Sequence, residues 1–291
     1  MRIVCAILCA AMLTAAAPSR FTAASAPYAF TFPRDHFSHD AYRTEWWYFT
    51  GHLQAPGKRR FGYELTFFRI GLEPRASAWS GGMSKWRAYQ LYPAHFAISD
   101  VSEKRFVHYQ TIARDALGEG FASESKLDVR AGSWRLSGPA GAKPRMHLSA
   151  SQDGDALDLW AQSSKPPAIH GAGGISRKGS CSSCASHYYS FSRLATNGTL
   201  TRNGVRFRVA GISWMDHEFG SDELQADQSG WDWFSIQLGD GRDVMLYRLR
   251  RRNGGTTPQS SGSVIERDGS VTYVPLHSFS VVETGTWKSP H

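Results

Sequence analysis

The sequence predicts an all-β protein. Short runs rich in Tyr, Phe, Trp, Val and Thr recur along its 291 residues, and aromatics reach 13% of the chain. Asn-Gly, Asp-Gly and Pro-Gly pairs punctuate those runs, and such pairs mark tight turns between strands. No long stretch keeps a helical period. Many short strands at this spacing build a barrel or a sandwich. The length suffices for one large or two modest domains.

The N-terminus reads as a secretory signal. Met1-Arg2 supplies a positive start, and 3–17 is an apolar run too short to span a bilayer comfortably. Small residues at Ala15-Ala16-Ala17 and Ala24-Ser25-Ala26 offer cleavage sites, so 1–26 is assigned to the signal. The mature protein is expected to be exported, to the periplasm or the medium.

Residues 28–42 form an irregular lead-in. Runs 44–53 and 60–69, joined by Ala55-Pro56-Gly57-Lys58, read as a hairpin. A period of two puts Phe61, Tyr63, Leu65 and Phe67 on one face of the second strand. Glu64, Thr66 and Phe68 fall on the other. Glu45 and Glu64 are therefore acids embedded in apolar strands. Either one of them points into an interior cavity, or each caps a strand end or pairs there with an arginine, Arg43 or Arg69.

Strand-like runs follow at 86–92, 95–100, 105–112, 133–136, 145–150 and 157–160, with a turn at Asp153-Gly154-Asp155. The main loop, 165–183, leads to Cys181-Ser182-Ser183-Cys184. Cys5 and Cys9 lie in the signal, so these are the two cysteines left in the mature chain. A zinc site needs further ligands at metal spacing, and a thioredoxin-like motif needs a βαβ setting. A Cys181–Cys184 loop disulfide fits an oxidising compartment best. No metal and no cofactor is expected.

Runs 187–191 and 194–201 lead through Asn203-Gly204 into the alternating strand 205–213. It ends at Trp214-Met215-Asp216-His217-Glu218-Phe219-Gly220. The polar stretch 221–229 is the best inter-domain connection. Beyond it, 231–238 with 243–249, and 261–266 with 270–274, form two more hairpins. The expected domains are 27–222 and 223–291, the second with too few strands to close a barrel.

Asp216, His217 and Glu218 put two carboxylates and an imidazole side by side, close to a second cluster, Gly230-Trp231-Asp232-Trp233-Phe234. Acids are costly to bury unless paired or hydrogen-bonded. Acids among tryptophans are thus either a structural lock at a barrel rim or a tuned proton donor. The formal net charge of +8 is scattered apart from Arg248, Arg250, Arg251 and Arg252. It describes a solvated basic surface able to sit near anionic lipid headgroups. No nucleic-acid-binding motif accompanies it.

Several blocks together resemble the AttH-like / carotenoid 1,2-hydratase (hydroxyneurosporene synthase) family. They are Phe32-Pro33-Arg34-Asp35-His36, Arg43-Thr44-Glu45-Trp46-Trp47-Tyr48 and 61–69, then Ala94-His95-Phe96-Ala97 and Ser176-Arg177-Lys178-Gly179. Tyr188-Tyr189-Ser190, Trp214-Met215-Asp216-His217-Glu218 and Gly230-Trp231-Asp232-Trp233 complete the set, which spans the mature chain in order. The resemblance implies two lipocalin-like antiparallel β-barrel domains packed together. It also implies relatives that add water across the terminal double bond of acyclic carotenoids, alongside exported bacterial proteins and fungal cyclases. Two departures stand out: the cysteine pair, and a chain end at Trp287-Lys288-Ser289-Pro290-His291 where relatives continue. The second barrel is therefore expected to be truncated.

The function expected is binding of an apolar isoprenoid or lipid, with acid-catalysed hydration of an alkene. Asp216 or Glu218 would donate the proton and His217 would orient it or the water. Trp47, Trp214, Trp231 and Trp233 would stabilise a cation through their faces, with Glu64 and Asp232 also contacting substrate. One alternative is a non-enzymatic carrier in the cell envelope, its acids locked by Arg206, Arg208 or Arg69. The other is a secreted hydrolase, for which neither a Gly-x-Ser-x-Gly elbow nor a His-Glu-x-x-His pair is present.

Overall fold

The computed structural model describes residues 20–74, 84, 86–139, 141, 143–221 and 224–288. Most of the expected signal, 1–19, and positions 222–223 of the expected connection lie outside them. Strands β1 (Thr44–Gln54), β2 (Arg60–Gly71), β3 (Gln90–Asp100) and β4 (Arg105–Arg114) make one antiparallel meander. A second runs through β5 (Gly120–Ala122), β6 (Leu127–Ala131), β7 (Trp134–Gly138), β8 (Arg145–Gln152) and β9 (Asp155–Ser163). The two-residue strands β10 (Ala168–Ile169) and β11 (Ser176–Arg177) add to the side of the next strand.

Two long strands, β12 (Ala185–Arg202) and β13 (Val205–Gly220), join the meanders. The order is β4-β3-β2-β1-β13-β12-β9-β8-β7-β6-β5. Contacts of β5 and β6 with β3 and β4 bring the two ends of the sheet together as a nearly closed barrel. Asn203 and Gly204, with φ of 49° and 76°, make the two-residue turn between β12 and β13. Both residues must take positive φ there, because that turn matches the twist of its strands. The strand expected at 86–92 begins only at Gln90; just before it, Tyr89 N–H donates to the Asp115 carboxylate at 3.0 Å.

The barrel interior is filled by side chains. Trp47, Phe49, Leu65, Phe96, Leu148 and Leu159 belong to one cluster and are at most 1% exposed. The face assigned to Phe61, Tyr63, Leu65 and Phe67 is the inner one, as the period of two requires. A second sheet, in the order β14 (Gln228–Gln237), β15 (Asp243–Arg251), β16 (Ser261–Ile265), β17 (Val271–Pro275), packs on the outside of the barrel. Asp243 clamps it there. Its buried carboxylate takes Lys165 Nζ at 2.8 Å, Arg193 Nη2 at 2.6 Å and the Ser192 hydroxyl at 2.9 Å.

The segment before the lead-in is tied to the barrel. Thr22 N–H donates to Ala41 O at 2.8 Å, and Ala24 is fully buried beside Ile175 and Ala185. Cleavage after Ala26 would discard these contacts. For a secreted form the expected cut is therefore after Ala17, and intact-mass measurement checks it. A mature chain starting at Pro27 would refute this assignment.

Candidate functional site: a cavity between the barrel wall and the second sheet

Strand β13 carries the site by alternation. Trp214, Asp216 and Glu218 point out of the barrel, while Met215, His217 and Phe219 point in. Asp216 and Glu218 meet a cavity of about 530 Å³ between the barrel wall and β14–β15. Trp46, Tyr48, Glu64, Thr66 and Phe68 from β1 and β2 line it from one side. Tyr188, Lys178, Trp231, Trp233, Tyr247 and Leu249 line it from the other. Trp231 and Leu224 line it yet are 50% and 42% exposed, so the cavity opens beside them.

Asp216 is the buried acid of this cavity. Burial pushes its pKa up to about 7, against hydrogen bonds from Ser190, Trp214 and Tyr188 that favour the carboxylate. The Trp214 indole N–H donates to Oδ1 at 2.6 Å, and the Ser190 hydroxyl donates to the same oxygen. Burial also raises Glu64, whose carboxylate accepts the Thr66 hydroxyl. Glu218 is instead an ion-paired group: Lys178 Nζ lies 2.7 Å from Oε1, and the Ser186 hydroxyl donates to the same oxygen. The Lys178 ammonium stands 4.5 Å above the Tyr247 ring, so its charge is shared with an aromatic face. Trp233 N–H reaches the Tyr188 hydroxyl at 3.1 Å, which fixes the two rings across the cavity.

Behind Asp216 runs a polar relay. Ser190 Oγ is 2.7 Å from His170 Nε2, and His170 Nδ1 is 2.9 Å from Ser263 Oγ. Burial, helped by the Lys178 charge, drops the His170 pKa to about 3, so its imidazole is neutral. It can donate to Ser190 while accepting from Ser263.

A sequence profile of AttH-like proteins matches residues 23–291. The chain belongs to the AttH-like family. Among solved structures, an AttH protein of Nitrosomonas europaea is similar to this AttH-like protein at 29% identity and a TM-score of 0.80. The match covers 90% of this chain and 78% of that one. Kievitone hydratase of Nectria haematococca is similar at 12% identity and a TM-score of 0.61, covering 89% of this chain and 72% of that one. At that identity the likeness is one of fold. No curated protein matches by sequence.

The AttH-like chain thus brings Asp216, Glu218, Glu64, Trp231 and Trp233 to one cavity, with Trp214 hydrogen-bonded to Asp216 behind its wall. Besides Trp214, three expected site residues do not line it. His217 faces into the barrel, because its neighbours on an extended strand face out. Trp47 is inside for the same reason, stacked on the His217 ring at 4.7 Å with its N–H on His36 O. Asp232 points away from Trp231 and Trp233 and pairs with Arg248 at 2.7 Å. An interior ligand cavity was one expectation for Glu45 and Glu64. Instead Glu64 faces the cavity outside the barrel, and Glu45 is paired inside it. Glu218 pairs with Lys178 and not with Arg206 or Arg208.

Inside the barrel, Glu45 organises a second polar cluster of the AttH-like chain. Arg69 Nε and His39 N–H both donate to Glu45 Oε2 at 2.9 Å. His39 Nδ1 and His217 Nε2 approach Oε1 at 2.7 and 2.8 Å. Burial opposes ionisation of Glu45, but His39, Arg69 and His217 outweigh it and hold the carboxyl well below its ordinary range. Arg69 also donates from Nη2 to His39 O and Tyr42 O, each at 2.9 Å, which pins the lead-in over the barrel end. In the loop that bears Lys178, Cys181 and Cys184 are joined by a disulfide, and Cys184 O accepts Lys178 N–H at 2.8 Å.

Proposed function

We propose that this exported protein binds the end of an acyclic isoprenoid or similar lipid alkene in the cavity and adds water to it. The observation that carries the reading is a buried carboxyl, Asp216, in a pocket walled by Trp46, Tyr48, Phe68, Trp231 and Trp233. The neutral acid delivers a proton to one alkene carbon. Ring faces stabilise the carbocation formed next to it. Water adds to the cationic carbon and returns a proton to the Asp216 carboxylate, so the acid is regenerated. A cavity of about 530 Å³ suits a small-molecule-sized group, with a longer chain leaving past Trp231. The fold, shared with a protein named a hydratase, is compatible with this reading.

The test is incubation of the mature protein with acyclic isoprenoid alkenes in ¹⁸O-labelled water. Binding is followed by tryptophan fluorescence and products by mass. Expected are quenching that weakens at least about tenfold in Trp233→Ala, and a product heavier by one labelled water. A ligand bound at the cavity but recovered unchanged would replace hydratase with carrier. Binding that ignores both Trp231→Ala and Trp233→Ala would place the ligand elsewhere and sink both.

A further inference from the structure

We propose that His39 Nδ1, Glu45 Oε1 and His217 Nε2 form a site for one divalent transition-metal ion of the zinc class, sealed inside the barrel end. The inference is independent of the cavity and its chemistry. The three atoms lie within 4.8 Å of one another, and the residues are 5%, 0% and 0% exposed. Glu45 and His217 point inward from neighbouring strands, where Trp47 pairs with His217, and His39 closes over them from the lead-in.

Two observations point to an ion. The first is how the outer atoms are held. His39 Nε2 is 3.1 Å from Asp35 Oδ1, His217 Nδ1 is 3.1 Å from the Tyr189 hydroxyl, and Glu45 Oε2 is held by Arg69. Outer partners of this kind orient imidazoles and carboxylates that ligate metals.

The second is a count of protons. The carboxylates of Asp35 and Glu45 and the Gly141 carbonyl only accept. Asp35–His39–Glu45 has two contacts, and a neutral imidazole brings one proton. Glu45–His217–Tyr189–His36–Gly141 has four contacts, at 2.8, 3.1, 2.7 and 3.1 Å, and three neutral groups bring three. Filling every one of these contacts with a hydrogen bond takes two protons more than the neutral groups bring. A divalent ion at the meeting point supplies the same two charges and replaces the two inner contacts. The four contacts that remain then take one proton from each of four neutral groups. His39 donates to Asp35, His217 to the Tyr189 oxygen, Tyr189 to His36 Nδ1, and His36 Nε2–H to Gly141 O. An ion about 2.0–2.1 Å from each atom, with a fourth position for water, holds its ligands about 3.3 Å apart, so the inner contacts spread by about half an ångström and the two imidazole nitrogens, within 4.8 Å of each other, settle to that separation.

The experiment uses the full mature chain, stripped with chelator and then titrated with Zn²⁺ alone. Elemental analysis gives the stoichiometry, and calorimetry in two buffers of different ionisation enthalpy gives the protons released. Expected are one ion per chain, a raised thermal midpoint, and release of protons on binding near neutral pH. His217→Gln and His39→Gln, each checked for strand content by circular dichroism, should lose the uptake. No zinc bound by the wild-type chain at micromolar concentration would overturn the proposal. So would binding without proton release, or uptake that survives in a folded variant. The wild-type titration decides the matter even if neither variant folds.

Discussion

Asp216→Asn is expected to lower hydration turnover by at least about 100-fold, the smaller end of what a positioned general acid contributes. Asparagine keeps the shape of the side chain and an oxygen for the Trp214 indole N–H, but it has no acidic proton. Ligand-induced quenching should therefore survive within a few fold, separating chemistry from binding. Wild-type turnover should fall as pH rises through about 7, where the buried acid loses its proton. Stability follows the same sign. The folded pKa lies above the unfolded value of 3.8, so the folded chain holds a proton that the unfolded chain has released. That contribution is complete below about pH 4, declines to about pH 7 and is absent above it. The asparagine variant is uncharged, so at pH 8 it should unfold later than the wild type, by roughly 4 kcal/mol at the upper limit. Denaturant midpoints at pH 5 and 8 read this directly. A variant that turned over normally would remove Asp216 from the reaction.

Arg69→Met carries the largest expected loss of stability, about 3–5 kcal/mol, because it leaves a buried carboxylate without its guanidinium. Arg69 and Glu45 are both fully buried, and the same guanidinium holds two carbonyls of the lead-in. Methionine fills much of the space but supplies none of these donors. The urea midpoint should drop with little change in slope. Arg242→Gln, at an exposed turn beside Asp240, should leave the midpoint where it was. A shift in Arg69→Met no larger than in Arg242→Gln would mean that Glu45 is held by its histidines alone.

The hairpin of β1 and β2, the Asn203-Gly204 turn and the inward face of β2 were legible because each follows from local residue chemistry. So was the pairing of Glu45 with Arg69, one of the alternatives open for that acid. The placing of His217 was not. Reading the strand as 205–213 leaves the acidic cluster in a loop, where neighbours can share a site. In fact β13 continues to Gly220, and its pleat sends Asp216 and His217 to opposite sides. Lys178 and His170 sit in the long loop, and no spacing rule connects them to residues on β12 and β13. The same holds for His217, which lies 172 residues from Glu45 and meets it and the neighbouring His39 only when the barrel and its lead-in close. Asp243 in a Gly-Arg-Asp turn looks like any surface acid until the second sheet buries it.

One leaf of sheet, β1 with β13, is at once the lining of the filled barrel and the wall of the cavity. Along β13 these two duties fall on alternate residues. A library randomised from position 214 to 219 should therefore show a two-beat rhythm. Positions 215, 217 and 219 would decide how much protein accumulates, and 216 and 218 would decide what the accumulated protein does with its ligand.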